Sequence, residues 1–229
     1  LQTPALALYA LEALGTHGNP KEQPWRLMLY CDELVPGAAL KVNNSRKTQA
    51  YYATILELAP VLRAHRETWI PLAFLRTPQV KMVVGGWTAI AYKLLRLMLA
   101  GTLSIVDAGV PLKLPGMRPR LFVFRFELII GDSPALQQFW GTMGCNGNVP
   151  CSLTCLNVIS SELAALPARG GYVDISCADR SKFVRATNEN VWEKFDELEV
   201  QKPFHSNTNY KKLETAAGLH FVPNGVLAD

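Results

Sequence analysis

The alternation of apolar and polar residues predicts a strand-rich region that begins near residue 25. Residues 25–31 form a compact, mostly apolar run that is typical of a buried β-strand. Residues 47–58 and 68–76 contain aromatic and β-branched side chains and predict two more strands. From residue 87 to 99 the apolar side chains recur at steps of three and four, which predicts a helix.

A second strand and helix follow a stretch rich in Pro and Gly. Residues 120–130 form the strongest strand pattern in the chain, and this run ends at Gly131-Asp132. Ser133-Pro134 is typical of a helix start, with Asp132 or Ser133 as the N-cap and the proline in the first turn. We expect this helix to extend to about residue 143.

The remaining segments have weaker patterns. We expect a short helix at 5–14, a linker at 15–24, a short strand at 151–159 and an amphipathic helix at 191–200. Residues 201–212 are polar and predict a loop.

The order of these elements from residue 25 is strand, strand, strand, helix, strand, helix, strand. Three strands with short connections predict an antiparallel meander, and the helix then crosses over to a strand parallel to the first. This α/β order is that of a ribonuclease-H-like mixed sheet. We therefore expect such a core at 24–160, with a linker or the end of a preceding region at 1–23. A looser region of helices and loops, an insertion or a linker, is expected at 161–229.

Composition places the chain among globular proteins. Its 229 residues are 49% hydrophobic and 18% charged, which suffices for one large domain or two small ones. The 23 Lys and Arg residues against 19 Asp and Glu give a formal charge of +4, which permits contact with a polyanion without requiring it. No apolar run approaches the roughly 18 residues that a membrane span needs, so we expect no membrane partner.

Two carboxylates stand at the ends of strands that the predicted order makes neighbours. Asp32 ends the first strand and Asp132 the fourth, so parallel strands would bring both side chains to one edge of the sheet. Divalent ions such as Mg²⁺ need several converging oxygen ligands, and strand ends hold such ligands rigidly. An alternative stays open, because Asp is a common turn former and Asp132 would then merely cap the following helix.

Four short motifs carry a resemblance to a known family: YCDELVPG at 30–37, NNSRK at 43–47, GDSPAL at 131–136 and GNVPC at 147–151. Together they resemble eukaryotic DDE/D transposases of the CACTA (En/Spm-like) or Kyakuja-Dileera-Zisupton type. The resemblance covers about residues 25–160 and is weaker beyond them.

The resemblance implies a nuclease that cleaves and transfers DNA strands with Mg²⁺ or Mn²⁺. Asp32 and Asp132 match the first and second catalytic acids of the family. The family also implies a nuclear protein, with transposon ends and target DNA as partners and a homo-oligomer as its assembly. The third acid of such families lies on a helix further along. Four acids on or near the predicted helix at 191–200 lack a matching motif: Glu189, Glu193, Asp196 and Glu199. We expect the third acid beyond Asp229, which would make this chain a fragment with an incomplete site.

Cysteine usage supports two further expectations. The odd number of five cysteines, without a recognisable signal peptide, favours an intracellular reducing compartment over a disulfide framework. Cys145, Cys151 and Cys155 fall within eleven positions and are candidate ligands of a structural Zn²⁺, with Cys177 or His205 as the fourth. The resembling families usually have two residues between the last pair of cysteines, whereas this chain has three. Three buried thiols are the alternative.

Two other functions compete with the transposase hypothesis. Gly131-Asp132-Ser133 resembles the nucleophile block of GDSL-like esterases, in which Ser133 would be the nucleophile. The catalytic base of such enzymes is usually a histidine three residues after an Asp, and no histidine of this chain has that spacing. A non-catalytic, transposase-derived domain that binds DNA or protein is the second alternative. Basic residues that could contact phosphates, or that are simply solvated, flank the proposed site: Arg46, Lys47, Lys81, Lys93, Arg96, Arg118, Arg120 and Arg125.

Overall fold

A computed structural model of the chain describes residues 4–35, 47–101, 104–164 and 171–228. The strands are β1 (Trp25–Leu34), β2 (Thr48–Ile55), β3 (Ile70–Arg76), β4 (Val110–Leu112), β5 (Arg120–Phe122), β6 (Phe124–Ile130), β7 (Val158–Ile159) and β8 (Val173–Asp174). The α-helices are α1 (Pro4–His17), α2 (Pro60–Arg63), α3 (Thr77–Met82), α4 (Gly86–Leu99), α5 (Ser133–Trp140), α6 (Ser161–Ala164), α7 (Asn188–Gln201) and α8 (Asn207–Ala217). Short 3-10 helices occupy Arg66–Thr68, Gly144–Asn146, Arg180–Lys182, Lys202–Phe204 and Val226–Ala228.

Four strands form the main sheet, in the order β3-β2-β1-β6. β1 pairs antiparallel with β2 and β2 antiparallel with β3, whereas β6 lies parallel to β1. A parallel pair needs a long crossover, and α4 lies in the connection between β3 and β6. The chain is therefore an α/β protein with a mixed sheet, which confirms this coarser part of the prediction.

β1 has one buried and one half-buried face. The odd-numbered residues from Trp25 to Cys31 are buried, and the even-numbered residues from Arg26 to Asp32 are partly exposed. Successive side chains of a strand point to opposite faces, so Asp32 lies on the partly exposed face.

The predicted strand at 120–130 is divided at Val123. β5 pairs with β4 in a separate two-stranded ribbon, and β6 alone joins the main sheet. The backbone N–H of Val123 donates to Asn19 Oδ1 at 2.8 Å, and its carbonyl accepts from Trp25 N at 3.0 Å. The Asn19 side chain thus takes the N–H that a continuous strand would have offered to a neighbouring strand, while the Val123 carbonyl still bonds β1.

The strand predicted at 151–159 is wrong except for its last two residues. The carbonyl of Cys151 accepts from the N–H groups of Thr154 and Cys155, both at 2.8 Å, so this segment is a turn. β7 follows and pairs parallel with β8 in a sheet of its own rather than adding a fifth strand to the main sheet.

The prediction of a loop at 201–212 is also wrong, because α8 begins within this segment. Ser206 caps this helix by accepting a hydrogen bond from Asn209 N, and Gly218 ends it in the left-handed conformation with φ of 74°. The buried Tyr210 donates its hydroxyl to the Leu198 carbonyl at 2.9 Å. A mostly polar segment is therefore helical because its few apolar residues pack against α7.

The chain forms two compact units. Unit 1 comprises Leu1–Val83 and Tyr92–Ala135, and unit 2 comprises Val84–Ala91 and Leu136–Asp229. Helix α1 covers the predicted helix and the first residues of the predicted linker. In unit 1 it packs against the sheet in one core: Leu6, Ala10, Ala13, Trp25, Leu27, Ile55, Leu58, Leu114, Phe122 and Phe124. In unit 2, helices α7 and α8 share a smaller core: Phe195, Leu198, Tyr210, Leu219 and Phe221. None of the helices in the described ranges is long and apolar enough to cross a membrane.

Candidate functional site

The register of the parallel pair sets the relation between the two predicted acids. Tyr30 of β1 is the partner of Ile130 of β6, and Asp32 and Asp132 each follow their paired residue by two positions. Residues in register on parallel strands point to the same face, and neighbouring strands lie about 4.8 Å apart. Asp32 therefore lies at the edge of the sheet where β6 ends, and Asp132 follows β6 two residues beyond that end.

Gly131 keeps the strands close after the last paired residue. A Cβ at position 131 would lie 2.7 Å from the Cys31 carbonyl oxygen and 3.1 Å from Cys31 Sγ. The backbone of residue 131 thus lies directly against that of residue 31, on the buried face of β1. The chain therefore stays close to β1 for at least one residue beyond the last pair.

Both oxygens of the Asp32 carboxylate accept a hydrogen bond. The hydroxyl of Tyr30 donates to Oδ2 at 2.5 Å, and the backbone N–H of Glu33 donates to Oδ1 at 2.7 Å. Tyr30 and Asp32 are two residues apart on one strand, so their side chains share a face. The carboxylate is therefore held in one orientation.

Asp132 is the N-cap of α5, as one of the sequence interpretations predicted. Its Oδ1 accepts the backbone N–H of Ala135 at 2.8 Å, and α5 begins at Ser133. The cap hydrogen bond holds the Asp132 carboxylate against the first turn of α5. Capping engages one oxygen, so it leaves the second oxygen for another ligand and does not exclude a role in metal binding.

A pair of substitutions separates the cap of α5 from the charge of Asp132. We expect Asp132→Ala to lower the free energy of unfolding by about 1 kcal/mol, because the Ala135 N–H loses its partner. Asp132→Asn should change it by less than about 0.5 kcal/mol, since Asn caps helices as well as Asp does. Urea denaturation followed by circular dichroism measures both. Equal losses in the two variants would contradict the cap interpretation.

The two carboxylates form a common electrostatic environment. The hydrogen bond to Asp32, followed by burial and by the negative charges of Asp32 and Asp132, raises the pKa of Tyr30 to about 12. Burial, followed by the charges of the same two carboxylates, raises the pKa of the Cys31 thiol to about 12. Both acids therefore act on the same two neighbours. The Cys31 thiol, fully buried, stays protonated at neutral pH.

Glu33 extends the acidic edge but is engaged with neighbouring residues of the sheet. Lys47 Nζ lies 2.7 Å from Glu33 Oε1, and Gln49 Nε2 donates to Oε2 at 3.1 Å. Lys47, predicted as a phosphate contact, is therefore paired with an acid next to the site. Such a half-exposed pair contributes little to stability and remains free to exchange its partner.

The donor set fits a hard divalent cation. Asp32 and Asp132 present only carboxylate oxygens, and each oxygen keeps a lone pair beside the hydrogen bond that it accepts. Mg²⁺ is commonly held by one or two carboxylates and keeps several waters. Carboxylate, carbonyl and water ligands suit Mg²⁺ and Mn²⁺. Two carboxylates are chemically compatible with Mg²⁺ or Mn²⁺, and the binding of either ion stays a prediction.

The structure identifies two contributors that the sequence interpretation missed. Tyr30 holds Asp32, and Gly131 allows the close approach of the strands. A signal for Tyr30 was available, since its spacing of two from Asp32 puts both on one face of a strand. Gly131 gave no such signal, because its neighbour across the sheet lies 100 positions away in the sequence.

The predicted cysteine cluster is not assembled into a metal-binding group. Among the described residues, no three His, Cys, Asp or Glu side chains converge on a point that could hold a metal ion. Cys145 is exposed, whereas Cys151, Cys155 and Cys177 are partly exposed, and all four are free thiols. They are therefore not buried thiols, and zinc binding by Cys145, Cys151 and Cys155 stays a prediction.

The other predicted residues fall in several places. The four candidates for a third acid all lie on α7 in unit 2: Glu189, Glu193, Asp196 and Glu199. Ser133, the proposed esterase nucleophile, is the first residue of α5. The motif residues Pro36 and Gly37 and the segment 43–46, including Arg46, lie outside the described residues.

Several of the predicted basic residues have local partners. Arg125 pairs with Glu127 at 3.2 Å, and Arg120 lies over the ring of Phe122 at 5.3 Å. Arg96 lies 5.9 Å from the ring centroid of Tyr92. These contacts hold the three side chains against neighbours in unit 1.

The chain is an α/β protein in which one acid lies within β1 and the other just after β6. The prediction that Asp32 ends the first strand is wrong by two residues, because β1 continues to Leu34 by pairing with β2. No known protein-family model matches the chain. A comparison with curated proteins finds no match either. The resemblance to transposases therefore rests on the sequence motifs.

Proposed function

We propose that this chain carries the first two acidic ligands of a ribonuclease-H-like nuclease site of the transposase type. The observations that support this most directly are the parallel pairing of β1 and β6 up to Tyr30 and Ile130, two residues before each acid, and the effect of both negative charges on Tyr30 and Cys31. The proposed reaction is metal-dependent cleavage and transfer of DNA strands. Phosphodiester chemistry of this kind uses carboxylates and divalent ions as its chief groups.

The topology of the main sheet supports the fold part of the proposal. Three antiparallel strands precede a crossover to a strand parallel to the first, which is the order expected of a ribonuclease-H-like core. The strand after α5 departs from this order, because β7 pairs with β8 outside the main sheet. The acid pair depends only on β1 and β6, which follow the expected order.

Asp32 and Asp132 would hold Mg²⁺ or Mn²⁺ at this edge. When bound, the ion supplies Lewis acidity at a phosphoryl oxygen and lowers the pKa of a water molecule. The chain itself orients the two carboxylates, Asp32 through the Tyr30 hydroxyl and the Glu33 N–H, and Asp132 through the cap of α5. Rigid carboxylates need no rearrangement on binding, which favours affinity and correct geometry.

The proposal covers two of the three acids that such a site uses. No residue of this chain is assigned as the third, and the acids of α7 remain candidates without a motif. DNA as substrate, a homo-oligomeric assembly and a nuclear location follow from the resemblance and are proposed with it. Because activity would need the third acid, metal binding is the sharper measurement on this chain.

Titration with Mn²⁺, followed by the electron paramagnetic resonance signal of the free ion, tests the acid pair. We expect the 229-residue chain to bind Mn²⁺ and Asp32→Asn or Asp132→Asn to weaken this binding at least about tenfold, because each removes a charged oxygen ligand. Mg²⁺ should displace the bound Mn²⁺. The asparagine at position 132 retains the cap of α5, so a loss there reports the ligand and not the helix.

Glu127→Gln is the matched control for these variants. Glu127 is an exposed carboxylate on β6, the same strand that leads to Asp132, and it pairs with Arg125 on the surface. Its replacement should leave Mn²⁺ affinity unchanged. If both Asn variants bind Mn²⁺ as the unchanged chain does, the metal site is wrong and a non-catalytic binding domain becomes the better hypothesis.

A further inference from the structure

The Tyr30 hydroxyl makes a hydrogen bond to Asp32 that packing of the Tyr30 ring does not require. Its hydroxyl donates to Oδ2 of Asp32 at 2.5 Å, while the Glu33 N–H donates to Oδ1 at 2.7 Å. A hydrogen bond to an ionised oxygen is stronger than one between neutral groups. Each carboxylate oxygen thus has its own donor, and the plane of the carboxylate is determined from both sides.

The ring of Tyr30 is itself held by aromatic neighbours. The Tyr52 ring centroid lies 6.3 Å away on the paired residue of β2, and the Trp69 ring contacts Tyr30 edge-on at 5.8 Å. Trp69 is anchored in turn, since its Nε1 donates to the Arg63 carbonyl at 2.8 Å. The hydroxyl of Tyr30 is therefore delivered by a packed cluster rather than by a mobile side chain.

We propose that Tyr30 is a positioning residue that makes Asp32 bind a metal ion through a single oxygen and so favours Mg²⁺ or Mn²⁺ over Ca²⁺. This inference rests on the proposed function, because it assigns a role at the same site. Because each oxygen of the Asp32 carboxylate accepts a hydrogen bond, bidentate binding of one metal ion by both oxygens is disfavoured. Ca²⁺ accepts such two-oxygen binding at about 2.3–2.6 Å, whereas Mg²⁺ requires near-octahedral geometry at about 2.0–2.1 Å.

Tyr30→Phe removes the donor and keeps the ring. We expect Mn²⁺ binding to weaken about tenfold, as is typical when a group that orients a metal ligand is lost. Ca²⁺ binding should be unchanged or tighter, because the freed oxygen can join a two-oxygen contact. The ratio of the Mn²⁺ to the Ca²⁺ affinity, measured by competition in the same resonance assay, should therefore fall about tenfold. A purely structural defect would weaken both ions alike.

Tyr52→Phe is the matched control. Tyr52 lies on the same face and packs against Tyr30, but in the part of the chain that the structure describes its hydroxyl makes no hydrogen bond to Asp32. Its replacement should leave both affinities unchanged. Circular dichroism melts of the two variants compare their folding directly, since each loses one hydroxyl from the same aromatic cluster.

A double-substitution cycle shows whether Tyr30 acts through Asp32. In the Asp32→Asn background, Tyr30→Phe should cause no further loss of Mn²⁺ binding. The inference is overturned, and the proposed function stands, if Asp32→Asn weakens binding while Tyr30→Phe does not. It is also overturned if Tyr30→Phe weakens binding equally in both backgrounds, or weakens Mn²⁺ and Ca²⁺ alike. If the unchanged chain binds no Mn²⁺, or Asp32→Asn binds it as tightly, both proposals fail.

Discussion

Replacing Gly131 by alanine is expected to lower the free energy of unfolding by about 1–3 kcal/mol. The new Cβ would lie 2.7 Å from the Cys31 carbonyl oxygen, a distance that real Cβ atoms do not reach, so the strands must separate. The opposing atom is backbone, which cannot rotate out of the way. Because Asp132 follows Gly131 directly, the same shift should displace it from Asp32 and weaken Mn²⁺ binding. Urea denaturation and the Mn²⁺ titration measure the two effects.

Gly15→Ala is the control for the Gly131 substitution. Gly15 is an exposed residue of α1, and no atom lies within 4 Å of the Cβ that alanine would add. Alanine is the better helix former by roughly 1 kcal/mol, so this variant should be as stable as the unchanged chain or more stable. If Gly131→Ala is equally harmless, the close approach of β6 to Cys31 is not a constraint on the site.

Replacing Trp25 by alanine is expected to lower the free energy of unfolding by about 3–5 kcal/mol. Trp25 is 1% exposed and opens β1. Its ring contacts Phe122 at a centroid distance of 5.1 Å and Phe124 at 6.2 Å. Its indole N–H donates to the Gly18 carbonyl at 2.6 Å, which ties the end of α1 to the sheet. The substitution therefore leaves a cavity and an unpaired carbonyl together. Urea denaturation followed by circular dichroism measures the loss.

Trp192→Ala provides the comparison for this core effect. Trp192 is the same residue type but is 47% exposed on α7. Less apolar surface leaves water there on folding, so we expect less than half of the loss caused by Trp25→Ala. Equal losses would show that burial in the core of unit 1 does not determine the stability of the chain.

Much of the main sheet could be predicted from local patterns. The strands at β1, β2, β3 and β6 and the helix α4 were each indicated by apolar spacing, and the structure confirms them within a few residues. The helix start at Ser133 was indicated by cap chemistry, and Asp132 is indeed the cap. These features depend on residues within about one turn or one strand, which is the range over which periodicity and capping act.

Errors in the prediction arose where distant residues decide. The run at 120–130 is uniformly strand-like, yet the Asn19 side chain bonds both the N–H and the carbonyl of Val123, and the strand is divided there. The segment that contains α8 is polar, yet the burial of Tyr210 against α7 makes it helical. Neither partner is visible in a window of neighbouring residues, so no local pattern could have predicted them.

By itself, the sequence determined which residues can form strands, where α5 begins, and that Asp132 follows directly after a strand. Only the tertiary structure decided that β1 and β6 are adjacent and in register, and that Tyr30 and the Glu33 N–H hold Asp32. The physical reason is that periodicity and capping are properties of neighbouring residues. Register and close approach depend instead on contacts between segments 100 positions apart, such as Gly131 against Cys31.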